Sequence, residues 1–156
     1  MTSRSQRELD SLDWQLLREL QADARLSYNE LARRTGLSSP TVAERVRRME
    51  DTGVIAAYRA EVDPAKVGLP VMAVVHMRCD PGKCLLKTTG VDAFPEVLEV
   101  LKVWGSHCTI LKVVAPSNEH LETLFERLGQ HGHLETLVVW PSGYTRRPID
   151  WESEAT

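Results

Sequence analysis

The sequence lacks any long apolar run. No stretch approaches the roughly 18 consecutive apolar residues that a bilayer crossing needs, and the polar start Met1–Gln6 lacks the apolar core of a secretory signal. The 156 residues include only nine glycines and eight prolines, while 42% are hydrophobic and 26% charged. That composition supplies enough apolar surface for a core. We therefore expect a cytoplasmic protein with no membrane partner, folded as one ordinary domain or two small ones.

Cysteine is also scarce. The three residues Cys79, Cys84 and Cys108 are an odd number without a C-x-x-C spacing. A chain of this length needs no disulfide to stabilise a core, so we expect these thiols to be reduced. The sequence contains no HExxH, GxSxG or phosphate-loop pattern. These absences argue against an enzyme, and we expect neither a cofactor nor a metal.

Positive charge is concentrated in one segment, although the net charge of the chain is −3. Residues 25–59 carry seven arginines and four acidic residues, a local net charge of +3. Arginine presents a rigid fork of donors that suits phosphates and guanine edges. The segment is therefore a candidate for binding double-stranded DNA. The alternative is a solvated surface on which the arginines pair with Glu30, Glu44 and Glu50.

Three helices are predicted before residue 53. Apolar residues between Leu9 and Leu20 recur every three to four positions, which predicts a first helix. Ser27 and Glu30 predict a capping box at the start of a short second helix that ends at Gly36. A third helix is expected over residues 40–51, with proline in its first turn. The glycine-containing turn between the last two helices is typical of a helix-turn-helix motif.

The remaining elements predict a second, α+β domain. Residues 54–62 are expected to form a strand pair or wing, and the turn-forming residues that follow predict a linker over 63–70. The next elements are read as strands and helices in the order βαββαβ: 71–78, 83–92, 97–104, 108–115, a helix capped by Ser117, and 136–140. This is the ferredoxin-like arrangement, with both helices on one face of the sheet. The uncovered face predicts a partner subunit, and the tail after Pro148 is expected to be frayed.

Several stretches carry a family resemblance. Residues 9–55 resemble the N-terminal half of the Lrp/AsnC (leucine-responsive, feast/famine) regulators through Leu9-Asp10-Ser11-Leu12-Asp13, Leu31-Ala32-Arg33-Arg34-Thr35-Gly36-Leu37-Ser38 and Glu44-Arg45-Val46-Arg47-Arg48-Met49-Glu50. Beyond the linker the resemblance continues through Gly105, Ile110-Leu111-Lys112 and Ala115-Pro116-Ser117. It implies an N-terminal winged helix-turn-helix domain (1–62) and a C-terminal ligand-binding, oligomerising domain of the RAM type (71–156). It also implies homodimers that can assemble further into octamers.

The expected DNA contacts follow from the third helix entering the major groove. Residues offered to base edges are Ser39, Thr41, Glu44, Arg45 and Arg48. Those expected to hold phosphates and set the register are Arg33, Arg34, Ser38, Arg47 and Arg59. Useful specificity requires two such helices about one helical turn apart, so a dimer is expected.

A small-molecule effector site is predicted around the turn glycine. Its candidate residues are Gly105, Ser106, His107, Cys108, Thr109, His131, Gly132 and His133. Members of the family often carry acidic residues after this glycine, which hold the amino group of an amino acid. Here Ser106 and Cys108 replace them, which weakens charge-assisted binding of an ammonium group. A metal site built from His107, Cys108, His131 and His133 has suitable ligands but no known zinc spacing, and no metal is predicted.

Together these observations predict a sequence-specific DNA-binding transcriptional regulator. Its C-terminal domain is expected to sense a small molecule, an amino acid or a related metabolite. Two alternatives stay open at this point. One is an architectural DNA-binding protein that responds to no effector, and the other is a stand-alone amino-acid-sensing protein that does not bind DNA.

Overall fold

The structure is a computed structural model that describes residues 9–140 and 147–150. The chain divides into two compact units. The first comprises the residues up to Ala60 together with the described tail, and the second begins at Glu61. Within the described ranges, no helix is both long and apolar enough to cross a membrane.

The first unit contains the three predicted helices: α1 (Ser11–Ala22), α2 (Tyr28–Thr35) and α3 (Ser39–Asp51). Each contributes one apolar stripe to a shared core, whose fully buried members include Leu16, Leu31, Val42, Val46 and Met49. Fully burying side chains of this size contributes roughly 1.5–3 kcal/mol each. The spacing of the apolar residues therefore fixes which face of each helix points inward.

The helix ends are set by local side chains, as predicted, with one difference. Ser27 accepts a hydrogen bond from the Glu30 N–H at 3.2 Å, but the Glu30 carboxylate turns to neighbouring arginines and does not complete a capping box. The reciprocal box occurs at α1, between Asp10 and Asp13. Gly36 ends α2 with φ at +71°, a conformation that favours glycine.

The predicted wing is wrong, because the described residues 54–62 form no strand. The segment is instead attached by side chains: Ile55 packs against the core, and the Tyr58 hydroxyl donates to Glu50 at 2.8 Å. Burial and this hydrogen bond raise the pKa of Tyr58 to about 12. A β-like sequence forms a strand only where a partner strand accepts its backbone hydrogen bonds.

The second unit is a four-stranded antiparallel sheet: β1 (Val71–Cys79), β2 (Val97–Lys102), β3 (Thr109–Ala115) and β4 (Gly132–Val138), in the order β2-β3-β1-β4. This is the strand order of the ferredoxin-like arrangement. The helix α4 (Asn118–Gly129) packs its leucines on one face over Val75, Met77 and Leu111. The predicted α+β class, a helix-turn-helix followed by this sheet, is confirmed.

The helix predicted over residues 83–92 is wrong, because this segment forms a series of turns. Gly82 and Gly90 at its ends have φ near +78° and +77°, and only Leu85 is fully buried between them. One anchoring side chain does not make the apolar stripe that stabilises a helix in tertiary structure.

The expectation that all three cysteines are reduced is also wrong. Cys79, at the end of β1, and Cys108, just before β3, form a disulfide, while Cys84 is free. Their Cα atoms lie 6.3 Å apart because the antiparallel pairing of β1 with β3 continues into this region. Pairing of residues 29 positions apart depends on strand register, which the spacing of cysteines in the sequence does not reveal.

The described part of the tail is not frayed, contrary to expectation. The backbone N–H of Ile149 donates to the Gln21 side chain at 2.7 Å, and Gln21 donates back to the Ile149 carbonyl at 2.8 Å. Arg18 pairs with Asp150 at 2.8 Å. These contacts attach residues 149 and 150 to α1.

Candidate functional sites

The outward face of α3 presents Pro40, Glu44 and Arg47, which are all exposed. They recur at i, i+4 and i+7, opposite the buried stripe of Val42, Val46 and Met49. The Arg47 side chain is 81% exposed and lies 3.9 Å from Asp51, a distance that makes a weak solvated pair. Its guanidinium is therefore available to a ligand outside the protein.

The first turn of α3 displays a cluster of hydroxyl groups. Ser38 caps the helix by accepting from the Thr41 N–H at 3.3 Å, and the two side-chain oxygens lie 2.8 Å apart. The Ser39 hydroxyl donates to Asn29 of α2 at 2.5 Å. The structure thus brings together Ser38, Ser39 and Thr41 at a helix N-terminus, where backbone N–H groups favour a negatively charged partner.

Arg45 and Arg48 lie on a different side of α3, facing α1. Arg45 donates to Asp10 at 2.7 Å and to Asp13 at 2.9 Å, and Arg48 donates to Asp13 at 2.7 Å. The Asp13 side chain is only 1% exposed. The hydrogen bond from Arg45 lowers the pKa of Asp10, and its bonds to Asp10 and Asp13 raise the pKa of Arg45. Both arginines are therefore engaged in fixing α3 against α1.

The aspartates that hold these arginines were not among the predicted functional residues. Asp10 and Asp13 stand three positions apart at the start of α1, a spacing that suits a capping box. That pattern predicts a helix start but not a partner on another helix. The long-range contact depends on how α1 and α3 pack.

Arg33 and Arg34 of α2 share one carboxylate. Arg33 donates to Glu30 at 2.6 Å and Arg34 does so at 2.8 Å, and together they lower the pKa of Glu30 to about 2. Arg34 also reaches Glu19 at 2.7 Å. These pairs are exposed to solvent, and exposed pairs contribute little to stability. A phosphate group can therefore compete with the carboxylate for the guanidinium groups.

In the second unit, the loop between β2 and β3 lines a cleft of about 290 Å³. The structure brings four of the predicted effector residues to this cleft, namely Gly105, His107, Cys108 and Thr109. Apolar side chains dominate the rest of the lining, and Lys87 and Lys102 add positive charge. A lining of this kind suits a small ligand with an apolar part and an anionic group.

The other predicted effector residues lie elsewhere. Ser106 does not line the cleft, but its hydroxyl lies 3.1 Å from Nδ1 of His107. Nδ1 of His131 lies 3.1 Å from the Lys83 carbonyl oxygen, while Gly132 and His133 begin β4. At Gly132, with φ at +153°, an added Cβ would lie 2.2 Å from the Arg78 carbonyl oxygen. This glycine therefore permits a close backbone approach.

Comparison with known proteins places these features in one family. The model of the AsnC-type helix-turn-helix domain matches residues 9–50, and that of the Lrp/AsnC ligand binding domain matches residues 72–140. The chain belongs to the Lrp/AsnC family of transcriptional regulators. These proteins are regulators rather than enzymes, and the Lrp/AsnC chain described here combines their DNA-binding and ligand-binding domains.

Similar proteins include the transcriptional regulator LrpC of Bacillus subtilis, 33% identical over 85% of this chain and 92% of its own length. The solved structure of LrpC superposes with a TM-score of 0.80 at 33% identity, covering 85% of this chain and 95% of LrpC. A feast or famine regulatory protein from Mycobacterium tuberculosis, solved in complex with L-methionine, gives a TM-score of 0.82 at 32% identity. That match covers 92% of this chain and 99% of the other.

Proposed function

We propose that the exposed face of α3 reads base edges in the major groove of an operator. The observation that supports this is that Arg47 is exposed on the outward face of α3, whereas Arg45 and Arg48 on another side of that helix pair with aspartates of the same domain. Ser39, Thr41, Glu44 and Arg47 are offered to bases, while the first-turn N–H groups, Arg33, Arg34 and Arg59 contact phosphates. From the sequence alone, Arg47 was predicted to contact phosphates. The exposure of the Arg47 side chain beside Glu44 on the outward face of α3 supports a base contact in addition.

In this proposal Arg45 and Arg48 act chiefly as positioning residues. Their guanidinium groups pair with the buried Asp13 and so fix the orientation of α3 relative to α1. Moving either arginine to DNA would leave a buried carboxylate without one of its partners, which is costly. Substituting them is therefore expected to affect folding as well as binding, whereas substituting Arg47 affects binding alone.

The test is a DNA titration at several salt concentrations. A binding duplex is first selected from a random-sequence pool and then titrated by fluorescence anisotropy. We expect Arg47→Ala to weaken binding and to reduce the slope of log affinity against log salt by up to about 1, with unchanged thermal stability. Lys66→Ala is the control, since it removes an 84% exposed positive charge from the second unit. Equal effects of the two substitutions, or binding that is insensitive to salt, would refute the proposal.

We further propose that the chain acts as a homodimer on chromosomal DNA in the cytoplasm, with two copies of the sheet face opposite α4 packed together. That open face carries Leu101 and Leu137, which are 57% and 54% exposed. An exposed apolar surface of this kind is typical of a subunit interface. Leu137→Lys is expected to shift the sedimentation coefficient to that of a monomer. Val67→Lys, at an equally exposed site off the sheet, should leave it unchanged.

For the effector, we propose an amino acid with an apolar side chain, bound in the cleft beside the β2–β3 loop. The L-methionine complex of the structural neighbour supports this ligand class. In the cleft, Lys87 and Lys102 would pair with the carboxylate of the ligand. None of the three residues after Gly105 is acidic, so the amino group has no charged partner there. Thermal-shift measurements with the L-amino acids test the proposal, and Lys87→Ala and Lys102→Ala should each reduce any stabilisation. If no amino acid raises the melting temperature, the effector-independent architectural alternative is favoured.

A further inference from the structure

Three potential metal ligands converge on the open face of the sheet, and one of them, His107, also lines the effector cleft. His76 lies on β1 and Glu135 lies directly opposite it on β4. His107, from the loop before β3, completes the group. One potential ligand atom from each side chain lies within 4.8 Å of the other two. The two histidines are half-buried, and Glu135 is exposed.

The donors are already close to one another. Nε2 of His107 lies 3.5 Å from a carboxylate oxygen of Glu135, and the His76 and His107 rings meet edge to face with their centroids 5.2 Å apart. A tetrahedral ion with bonds of about 2.0–2.1 Å needs donor atoms roughly 3.3 Å apart. Moderate rotations of the Glu135 and histidine side chains would bring the longest separation into that range, without a change in strand pairing.

The second nitrogen of His107 also has a suitable partner. The Ser106 hydroxyl lies 3.1 Å from Nδ1, which leaves Nε2 directed at Glu135. Metal-ligating histidines typically use their other ring nitrogen in this way, because the outer hydrogen bond fixes the orientation of the ring. The Ser106 hydroxyl is therefore placed to hold the His107 ring with Nε2 towards Glu135.

We propose that His76, His107 and Glu135 bind a divalent transition-metal ion of the Zn²⁺ class. Two imidazoles and one carboxylate suit such an ion, and three protein ligands leave a fourth position for water or another ligand. The site differs from the cysteine-containing cluster suggested by the sequence, because Cys108 is bonded to Cys79. A bound ion would link β1, β4 and the β2–β3 loop, and so would restrain the loop that lines the effector cleft.

The proposal is tested by titrating tag-free protein with Co²⁺ as a spectroscopic probe for Zn²⁺. We expect one equivalent per chain, with the visible bands of a nitrogen- and oxygen-ligated ion and without a near-ultraviolet thiolate band. Loss of an outer-shell partner costs about 10–100-fold in metal affinity, so His76→Ala and His107→Ala, which remove ligands, should cost more than about 100-fold. Glu135→Gln should weaken binding by at least about tenfold on the same scale.

His133→Ala is the matched control, because it removes an exposed histidine two positions from Glu135 on β4. It should leave Co²⁺ affinity unchanged. An equal loss in His133→Ala and His76→Ala would indicate adventitious surface binding and would overturn the proposal, as would a thiolate band or no binding at all. Because the site lies on the face assigned to the dimer, the titration is repeated with Leu137→Lys. We expect Leu137→Lys to retain Co²⁺ binding, because all three ligands belong to one chain. The metal site is then tested independently of the proposed dimer, and loss of binding in this variant would contradict a site formed within one chain.

Discussion

The contact between α1 and α3 gives the sharpest quantitative prediction, made for Asp13→Asn. The substitution preserves the size of the side chain and an oxygen that can accept the capping hydrogen bond, but removes the charge that faces Arg45 and Arg48. Removing one partner of a fully buried ion pair costs about 3–5 kcal/mol. Here the two arginine side chains are 20% and 38% exposed, so water can partly hydrate them after the substitution. We therefore expect a loss of about 2–3 kcal/mol in the free energy of unfolding, below or at the lower end of that range.

The assay is urea unfolding followed by the helical circular dichroism signal, because α1, α2 and α3 belong to the first unit and only α4, among the described α-helices, belongs to the second. At about 4–8 °C per kcal/mol for a unit of this size, the melting temperature of the helix-turn-helix unit should fall by about 8–24 °C in a thermal scan. Asp51→Asn is the control, since that side chain is 72% exposed and should change stability by less than about 0.5 kcal/mol.

A double-mutant cycle with Arg45→Met separates the ion pair from other effects of the substitution. The two changes together should cost less than the sum of their separate costs, because Arg45→Met removes a charge that has already lost one of its two carboxylate partners in Asp13→Asn. If Asp13→Asn is as mild as Asp51→Asn, or if the two costs are additive, the ion pairs do not position α3.

Three further predictions concern the second unit. The buried Glu96 carboxylate accepts from His120 at 2.8 Å and from Arg127 at 2.9 Å; burial alone would raise its pKa, but its backbone N–H and these partners lower it. The ionised Glu96 should thus stabilise the folded protein fully above the unfolded pKa near 4.5, and this stabilisation should be lost as the pH falls through the lower pKa of the folded state. In acid titrations, Glu96→Gln should therefore flatten the pH dependence of the melting temperature. Reducing the disulfide, which closes a loop of about 30 residues, should destabilise the unit by about 3–4 kcal/mol, and Cys108→Ser should abolish the difference between oxidised and reduced protein in urea unfolding. Gly132→Ala should destabilise it by more than about 2 kcal/mol, because the added Cβ would overlap the Arg78 carbonyl, whereas Gly129→Ala, with nothing within 4 Å, should be neutral or mildly stabilising in the same assay.

Local patterns in the sequence predicted much of the fold. The apolar spacing located α1, α2 and α3, and the serine caps and Gly36 located both ends of α2 and the start of α3, because these features depend on residues within a few positions of one another. The same holds for β1, β2 and β3, whereas the last strand was predicted over 136–140 and β4 begins four residues earlier, at Gly132. The two failures, at 54–62 and 83–92, occurred where a local preference lacked the partner strand or apolar stripe that makes an element stable.

The sequence by itself therefore determined the helix-turn-helix, the antiparallel sheet and the segment that carries the basic helix. Only the tertiary structure decided which arginines of that helix remain available, because Arg45 meets Asp10 across 35 positions of the chain. It likewise paired Cys79 with Cys108 and brought His76, His107 and Glu135 together. Contacts between distant residues depend on helix packing and strand register, and neither is fixed by the preferences of neighbouring residues.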